Sequence, residues 1–272
     1  MTPELSIVIV SHNAREWLGQ CLRSLRAHPE VAAEIIVVEN CSEDGSAELV
    51  REQFPEVKLL CNAQGQGFAT NNNTGALACR APLLLFLNPD TKVPPGSLQA
   101  MIDVVAQHPE CGIFGSRLLD GEGEVERSMG RFPTVLSISI ERLLQSVAFL
   151  QPALDRCSHH YLLGYEAERC VDWVTGACLW IRRETLDQAG GWDGVNFFMY
   201  YEDVDLCYRA RQTGCAVLYA PQSELYHYRN KAPMDHRKKT MRQNQGVFMR
   251  QHYGPLRGRL APLLLRLFDR MR

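Results

Sequence analysis

None of the ten cysteines pairs with another in C-x-x-C spacing, so a zinc ribbon or finger is poorly supported. The ten lie at 21, 41, 61, 79, 111, 157, 170, 178, 207 and 215, many in apolar runs such as Gly176-Ala177-Cys178-Leu179-Trp180. They read as small buried hydrophobes of a protein in a reducing cytosol. The N-terminus lacks a charged segment followed by an apolar stretch and a cleavage site, so no secretory signal is expected. No apolar run reaches about 18 residues, so no membrane span is expected. No G-x-G-x-x-G follows the first strand, where Ser11-His12-Asn13-Ala14 stands instead, and no G-x-x-x-x-G-K-[ST] occurs. Both absences argue against a dinucleotide dehydrogenase and a P-loop ATPase. A strong charge of one sign is missing too: the net charge is −2, which makes no electrostatic case for nucleic acid. The balance is uneven, however. From Arg229 to Arg272 there are 12 basic and 2 acidic residues, leaving 17 basic and 29 acidic for the rest, an acidic body with a basic tail.

What the chain does have is alternation. With 272 residues, 46% hydrophobic, it is long enough for one large domain or two closely fused ones. Leu5–Val10 is short and β-branched, hence a strand, and Leu18, Cys21, Leu22 and Leu25 then recur at helical spacing, with Asn13 as a cap. Glu34–Val38 is a second strand ending at Glu39-Asn40, Ala47–Phe54 a helix, and Val57–Leu60 a third strand. Gly65-Gln66-Gly67-Phe68 opens a helix through Ala78, Pro82–Leu87 is a fourth strand, and Leu98, Met101, Ile102 and Val105 mark another helix. Strands alternating with helices predict βαβ units and a mostly parallel sheet. Residues 1–115 read as a Rossmann-like nucleotide-binding half, 116–230 as a second half and 231–272 as a basic tail. Further on, 128–170 is irregular with a helix-like run from Val135 to Leu150. Val174–Arg182 reads as a strand, Glu184–Ala189 as a short helix closed by Gly190-Gly191, Glu202–Gln212 as a helix stopped by Gly214, and Ala216–Tyr219 as the last strand.

In such a fold ligand chemistry belongs at the carboxyl ends of the strands: Ser11–Asn13, Glu39-Asn40, Asn62 and Asn88–Asp90, all polar. Asn88-Pro89-Asp90 is either a plain turn or the place where an acid meets a hard cation on a nucleotide diphosphate. Glu39 is either a solvated strand-end acid or an acceptor for a ribose hydroxyl or base N–H. Tyr200-Tyr201-Glu202-Asp203-Val204-Asp205 gathers three carboxylates at a helix N-terminus, where acids cap. Behind the aromatics from Phe197 to Tyr201 they can also supply a general base. Asp205 and Arg209 are four apart and pair, which leaves Glu202 and Asp203. His227 follows the last strand. It is structural unless the fold carries it to Asp90, where it becomes a metal ligand.

Six segments in order bear a resemblance to the family 2 glycosyltransferases, in their bacterial rhamnosyltransferase-like branch. They are Leu5–Asn13, Ile35–Ser42, Gly67–Asn72, Leu87–Thr91, Val174–Cys178 and Phe198–Cys207. The resemblance implies a GT-A type α/β fold that binds a nucleotide-diphospho-sugar, and inverting transfer of the sugar, with rhamnose as the first expectation, to a hydroxyl of a glycan or lipid-linked saccharide. It implies that Ser11, His12, Asn13 and Glu39 cradle base and ribose, that Gly67 and Asn71 lie against the nucleotide beside Asn88, and that Asp90 ligates Mg²⁺ or Mn²⁺, joined by His227. It makes Asp203 the catalytic base, with Glu202 beside it, and gives Trp173, Thr175, Gly176 and Ala177 to the sugar and acceptor pocket. Glu39 in place of the usual Asp, His12 in place of Tyr, and Gly65-Gln66 in place of Asn-Leu depart from the pattern and bear on donor choice.

Two rivals differ in what they need. A sugar-1-phosphate nucleotidyltransferase would carry a Gly-rich basic loop after the first strand, and Ser11–Ala14 is neither. A non-catalytic sugar-nucleotide binder has no use for a base such as Asp203. In the tail, Leu256, Leu260, Leu263, Leu264, Leu267 and Met271 share a helical face among arginines. Such a helix lies on the inner face of the plasma membrane, or packs on its own domain or on a second copy.

Overall fold

A computed structural model describes residues 3–134, 136–137, 161, 164–228 and 234–255. The chain runs β1 (Leu5–Ser11), α1 (Arg15–Arg26), β2 (Ala33–Glu39), α2 (Ser46–Gln53), β3 (Lys58–Cys61), α3 (Phe68–Ala78) and β4 (Leu83–Leu87). It continues through β5 (Thr91–Lys92), α4 (Ser97–Gln107), β6 (Cys111–Leu119), β7 (Met129–Gly130), β8 (Arg169–Val171), β9 (Trp173–Val174) and β10 (Cys178–Arg182). Last come α5 (Arg183–Gln188), α6 (Glu202–Gln212), β11 (Ala216–His227) and α7 (Met234–Tyr253).

Among the described residues nine strands form one sheet in the order β3-β2-β1-β4-β10-β6-β11-β5, with β8 also on β11; β7 and β9 pair separately. β3, β2, β1 and β4 are parallel neighbours, β10 runs against both β4 and β6, and β11 is parallel to β6. The sheet is thus mostly parallel with one reversed strand wedged into it. Helices cover both faces, which is why the strands read as continuous apolar runs. β1 shows the division. Leu5, Ile7 and Ile9 join a core with Leu18 and Leu22 of α1 and Met101 of α4, whereas Val8 and Val10 join one with Ala69 of α3, Trp192 and Leu206 of α6. Each fully buried aliphatic side chain contributes roughly 1.5–3 kcal/mol.

The structure differs from the sequence reading in five places. β6 was not anticipated, and the boundary expected at 115 falls inside it. Its Gly115 looks like a strand breaker, yet it is there because a Cβ would come within 2.5 Å of Val174. β11 does not stop at Tyr219. Pro221 sits in a register break between Ala220 and Glu224, after which the strand resumes to His227. The run Val174–Arg182 is two strands parted by the Thr175–Ala177 turn. Asn13 is not the cap of α1. It takes a left-handed φ of 48° and its Oδ1 accepts from Glu43 N, while Asp44 Oδ2 accepts from Arg15 N at 2.8 Å. Not every cysteine is buried either. Cys21, Cys79, Cys111, Cys178 and Cys207 are, whereas Cys61 and Cys170 are exposed.

Cys157, most of the Val135–Leu150 run and the tail from Leu256 lie outside the described residues. Among the described residues no helix is long and apolar enough to cross a membrane.

Candidate active site

Strand register assembles the first wall. β1 and β2 pair Ser11 with Glu39, and β2 and β3 pair Glu39 with Cys61, so three polar strand ends stand in a row. The asparagines that follow tie the next loop down. Asn62 Nδ2 donates to Asn40 Oδ1 (2.9 Å) and Asn71 Oδ1 (2.6 Å), while Asn40 Oδ1 also accepts from Gln66 N at 2.8 Å. His12 donates from Nδ1 to the Asn40 carbonyl at 2.8 Å, which leaves Nε2 facing Asn13 Nδ2.

The second wall is the metal-binding candidate. β5 pairs with the end of β11, setting His227 opposite Thr91, and Tyr228 N donates to the Asp90 carbonyl at 2.9 Å. This pairing carries His227 across the chain to Asp90, with Nε2 3.4 Å from Asp90 Oδ1 and 3.3 Å from Asn88 Nδ2. The other ring nitrogen, Nδ1, is 3.0 Å from Glu126 Oε2. Burial alone would push the His227 pKa down, but its hydrogen bonds to Asp90 and Glu126 outweigh it and raise the value to about 9. A carboxylate oxygen and an imidazole nitrogen this close can share one hard cation, with Glu126 orienting the ring from behind, so these residues fit Mg²⁺ or Mn²⁺. Sequence reasoning missed Glu126, which lies in an irregular stretch with no pattern to single it out.

The third wall is the start of α6. Tyr200 and Tyr201 both take left-handed backbone, with φ of 72° and 74°, and α6 starts at Glu202 immediately after them. Asp203 Oδ2 accepts from Gly176 N at 2.9 Å and Oδ1 from Val204 N at 2.8 Å, which fixes the carboxylate against the Thr175–Ala177 turn. Glu202 is buried and its Oε2 has no hydrogen-bond partner among the described residues. Its pKa is raised well above the usual carboxylate range by burial and by the neighbouring charge of Asp203. Asp205 pairs with Arg209 Nε at 2.7 Å, as its spacing predicts, and with His252 Nε2 at 2.7 Å as well.

All three walls enclose one cleft of about 620 Å³. His12, Asn71, Asn88, Asp90, Trp173, Thr175, Gly176, Ala177, Glu202, Asp203 and His227 line it. Ser11, Asn13, Glu39 and Gly67 do not. The Ser11 hydroxyl is buried beneath the strand end, Asn13 is spent on Glu43, and Glu39 Oε1 accepts from Ser42 N at 2.8 Å. Gly67 lies under Phe198, whose carbonyl a Cβ there would meet at 2.8 Å. Tyr200, one of the aromatics expected before these acids, lines the cleft too, as do Arg127 and Arg237, which the sequence reading does not single out.

Residues 6–166 match the model of glycosyl transferase family 2, and the chain belongs to that family. It is 29% identical over 248 residues to the N-acetylglucosaminyl-diphospho-decaprenol L-rhamnosyltransferase of Mycobacterium tuberculosis, covering 84% of this chain and 77% of that one. It is 24% identical to the rhamnosyltransferase WbbL of Escherichia coli over 82% of each chain. Among solved structures, a mannosyltransferase of Pyrobaculum calidifontis in complex with GDP-Man and Mn²⁺ superposes with a TM-score of 0.62. That match has 14% identity and covers 98% of this chain and 70% of the other. The fold is the GT-A type, and the two curated relatives named here are rhamnosyltransferases. The nucleotidyltransferase alternative gives way to that membership.

Proposed function

We propose that this enzyme transfers rhamnose, with inversion, from a deoxythymidine-diphosphate donor to a hydroxyl of a lipid-linked saccharide, at the inner face of the plasma membrane. The observation that carries the reading is the meeting, in one cleft, of the Asp90–His227 pair and Asp203. Two relatives are named rhamnosyltransferases, and one of them for an N-acetylglucosaminyl-diphospho-decaprenol, which supports the choice of sugar and of a lipid-linked acceptor; the deoxythymidine base comes from the family resemblance.

The division of labour follows from charge. Asp90 and His227 would hold Mg²⁺ or Mn²⁺, which neutralises charge as the diphosphate leaves. An acceptor hydroxyl is a poor nucleophile until a carboxylate takes its proton. Glu202 suits that task less well than Asp203, because it is buried and its carboxyl is pushed well above the usual carboxylate range by burial and by the Asp203 charge. Asp203, held by Gly176 and Val204, is the base. Inversion requires base and leaving group on opposite faces of the reacting carbon, and these groups come from separate elements, β4–β5–β11 and α6.

Rhamnosyl transfer from dTDP-rhamnose to N-acetylglucosaminyl-diphospho-polyprenol, with Mn²⁺ added, tests the reading. Product with the opposite anomeric configuration to the donor is expected. Retained configuration, or transfer only from a different nucleotide-sugar, would overturn it. Deleting residues 256–272 tests the membrane contact: lost partitioning onto anionic liposomes supports it, and unchanged partitioning removes it.

A further inference from the structure

The four carbonyls that lead into the catalytic helix are each accounted for. Phe198 O accepts from Phe68 N at 2.8 Å, and Tyr201 O from Asp205 N at 2.9 Å, the first bond of α6. The two between them depend on one side chain from far along the chain. Asn244 Nδ2, on α7, donates at 2.8 Å to both Met199 O and Tyr200 O. Next to it, Gln245 Nε2 donates to Tyr201 Oη at 2.6 Å, and the Arg237 guanidinium lies 5.6 Å from the centre of the Tyr200 ring.

This bracing meets a need. Tyr200 and Tyr201 are successive left-handed residues, a region that a tyrosine populates sparsely and that persists only where the surroundings over-determine it. Relaxing either one would change where α6 starts and hence where Glu202 and Asp203 aim. An amide nitrogen has two protons, so one Asn can hold two carbonyls at once, and no ordinary hydrophobic contact could.

We propose that Asn244 is a positioning residue for the transfer reaction, holding the left-handed backbone at 199–201 so that Asp203 faces the acceptor. The inference rests on Asp203 as the base and makes its aim depend on a helix that starts more than 30 residues later. Docking of α7 itself does not hang on Asn244, since Phe248 and Met249 are fully buried beside it. A change at 244 therefore reads on the loop and not on the fold.

Asn244→Asp keeps the shape but sets oxygen against both carbonyls. Hydrogen exchange in residues 199–205 should quicken about tenfold, with the melting temperature little changed. The kcat for transfer from dTDP-rhamnose should fall roughly 10–100-fold while the KM for the donor stays within about twofold. In a Tyr200→Gly background, where left-handed backbone comes without strain, Asn244→Ala should lose less than it does in the parent. Unchanged exchange in N244D, or equal N244A losses in the two backgrounds, would overturn the inference. Asp203→Asn is assayed alongside. If it still turns over, the base assignment fails, whereas faster exchange in N244D would still uphold the brace. If it is inactive while N244D stays rigid and active, the brace fails and the base stands.

Discussion

The two acidic centres of the cleft are built by different means. Asp90 sits between β4 and β5, and strand pairing alone brings His227 to it, since the β5–β11 register leaves that residue nowhere else to be. Asp203 stands behind two left-handed tyrosines, on a loop held by Phe68, Asn244 and Gln245. Backbone ladders fix the first centre, and the second needs the side-chain amides of α7 beside single backbone bonds from Phe68, Gly176 and Val204. The proposed donor site is made of sheet ends and is fixed by strand pairing. The proposed acceptor site is made of a loop braced from α7, so changes in that distant helix reach it.

Breaking the two centres separately sharpens that contrast. Asp203→Asn removes the proposed base and should lower turnover roughly 10²–10⁴-fold in a single-turnover assay, with donor affinity intact. Asp90→Ala should abolish the Mn²⁺-dependent part of donor binding measured by calorimetry, while binding without metal persists. Glu126→Gln leaves the ligands in place but weakens the hold on the His227 ring, so Mn²⁺ affinity should drop roughly 10–100-fold.

The pH dependence divides the same way. His227 without metal has a pKa raised to about 9, from 6.5. Its charged contacts stabilise the metal-free fold below about pH 6.5, and that contribution is lost as pH rises through about 9. Mn²⁺ must displace the proton, so metal affinity should rise with pH across the same window, with proton release seen by calorimetry in two buffers. Glu202 works against the fold in the opposite centre. Burial and the neighbouring Asp203 raise its native carboxyl well above the usual range, so stability falls as pH climbs above 4.5 and the unfolded chain ionises first. Glu202→Gln, which copies the neutral acid, should raise the melting temperature at neutral pH by roughly 2–4 °C per kcal/mol recovered and flatten its pH dependence. This is the smallest of the expected effects.

The same contrast explains what could be read from the sequence. Asp90 was legible because an apolar strand ends at Asn88-Pro89-Asp90, and strand ends are where this kind of sheet keeps its ligands. Asp203 was legible as one of three acids at a helix start. The strand carrying His227 was cut short in the reading because Pro221 looks like a terminator, when it sits in a bulge. β6 was hidden by Gly112 and Gly115, whose reason is packing against other elements and not local conformation. Glu126, Asn244 and Gln245 carry no local signal at all. They matter through contacts between residues 44 or more apart in sequence, and no periodicity encodes those. Glu39, by contrast, carries a strong local signal, yet the structure turns its carboxylate onto its own loop at Ser42.

The division of labour between the two centres is tested most directly by calorimetric titration of dTDP-rhamnose into wild-type, D90A and D203N proteins, each with and without Mn²⁺. The expected result is metal-enhanced binding in wild-type and D203N alike, and no enhancement by metal in D90A. Enhancement that survives in D90A, or donor binding that disappears in D203N, would contradict the assignment of donor to one centre and proton transfer to the other.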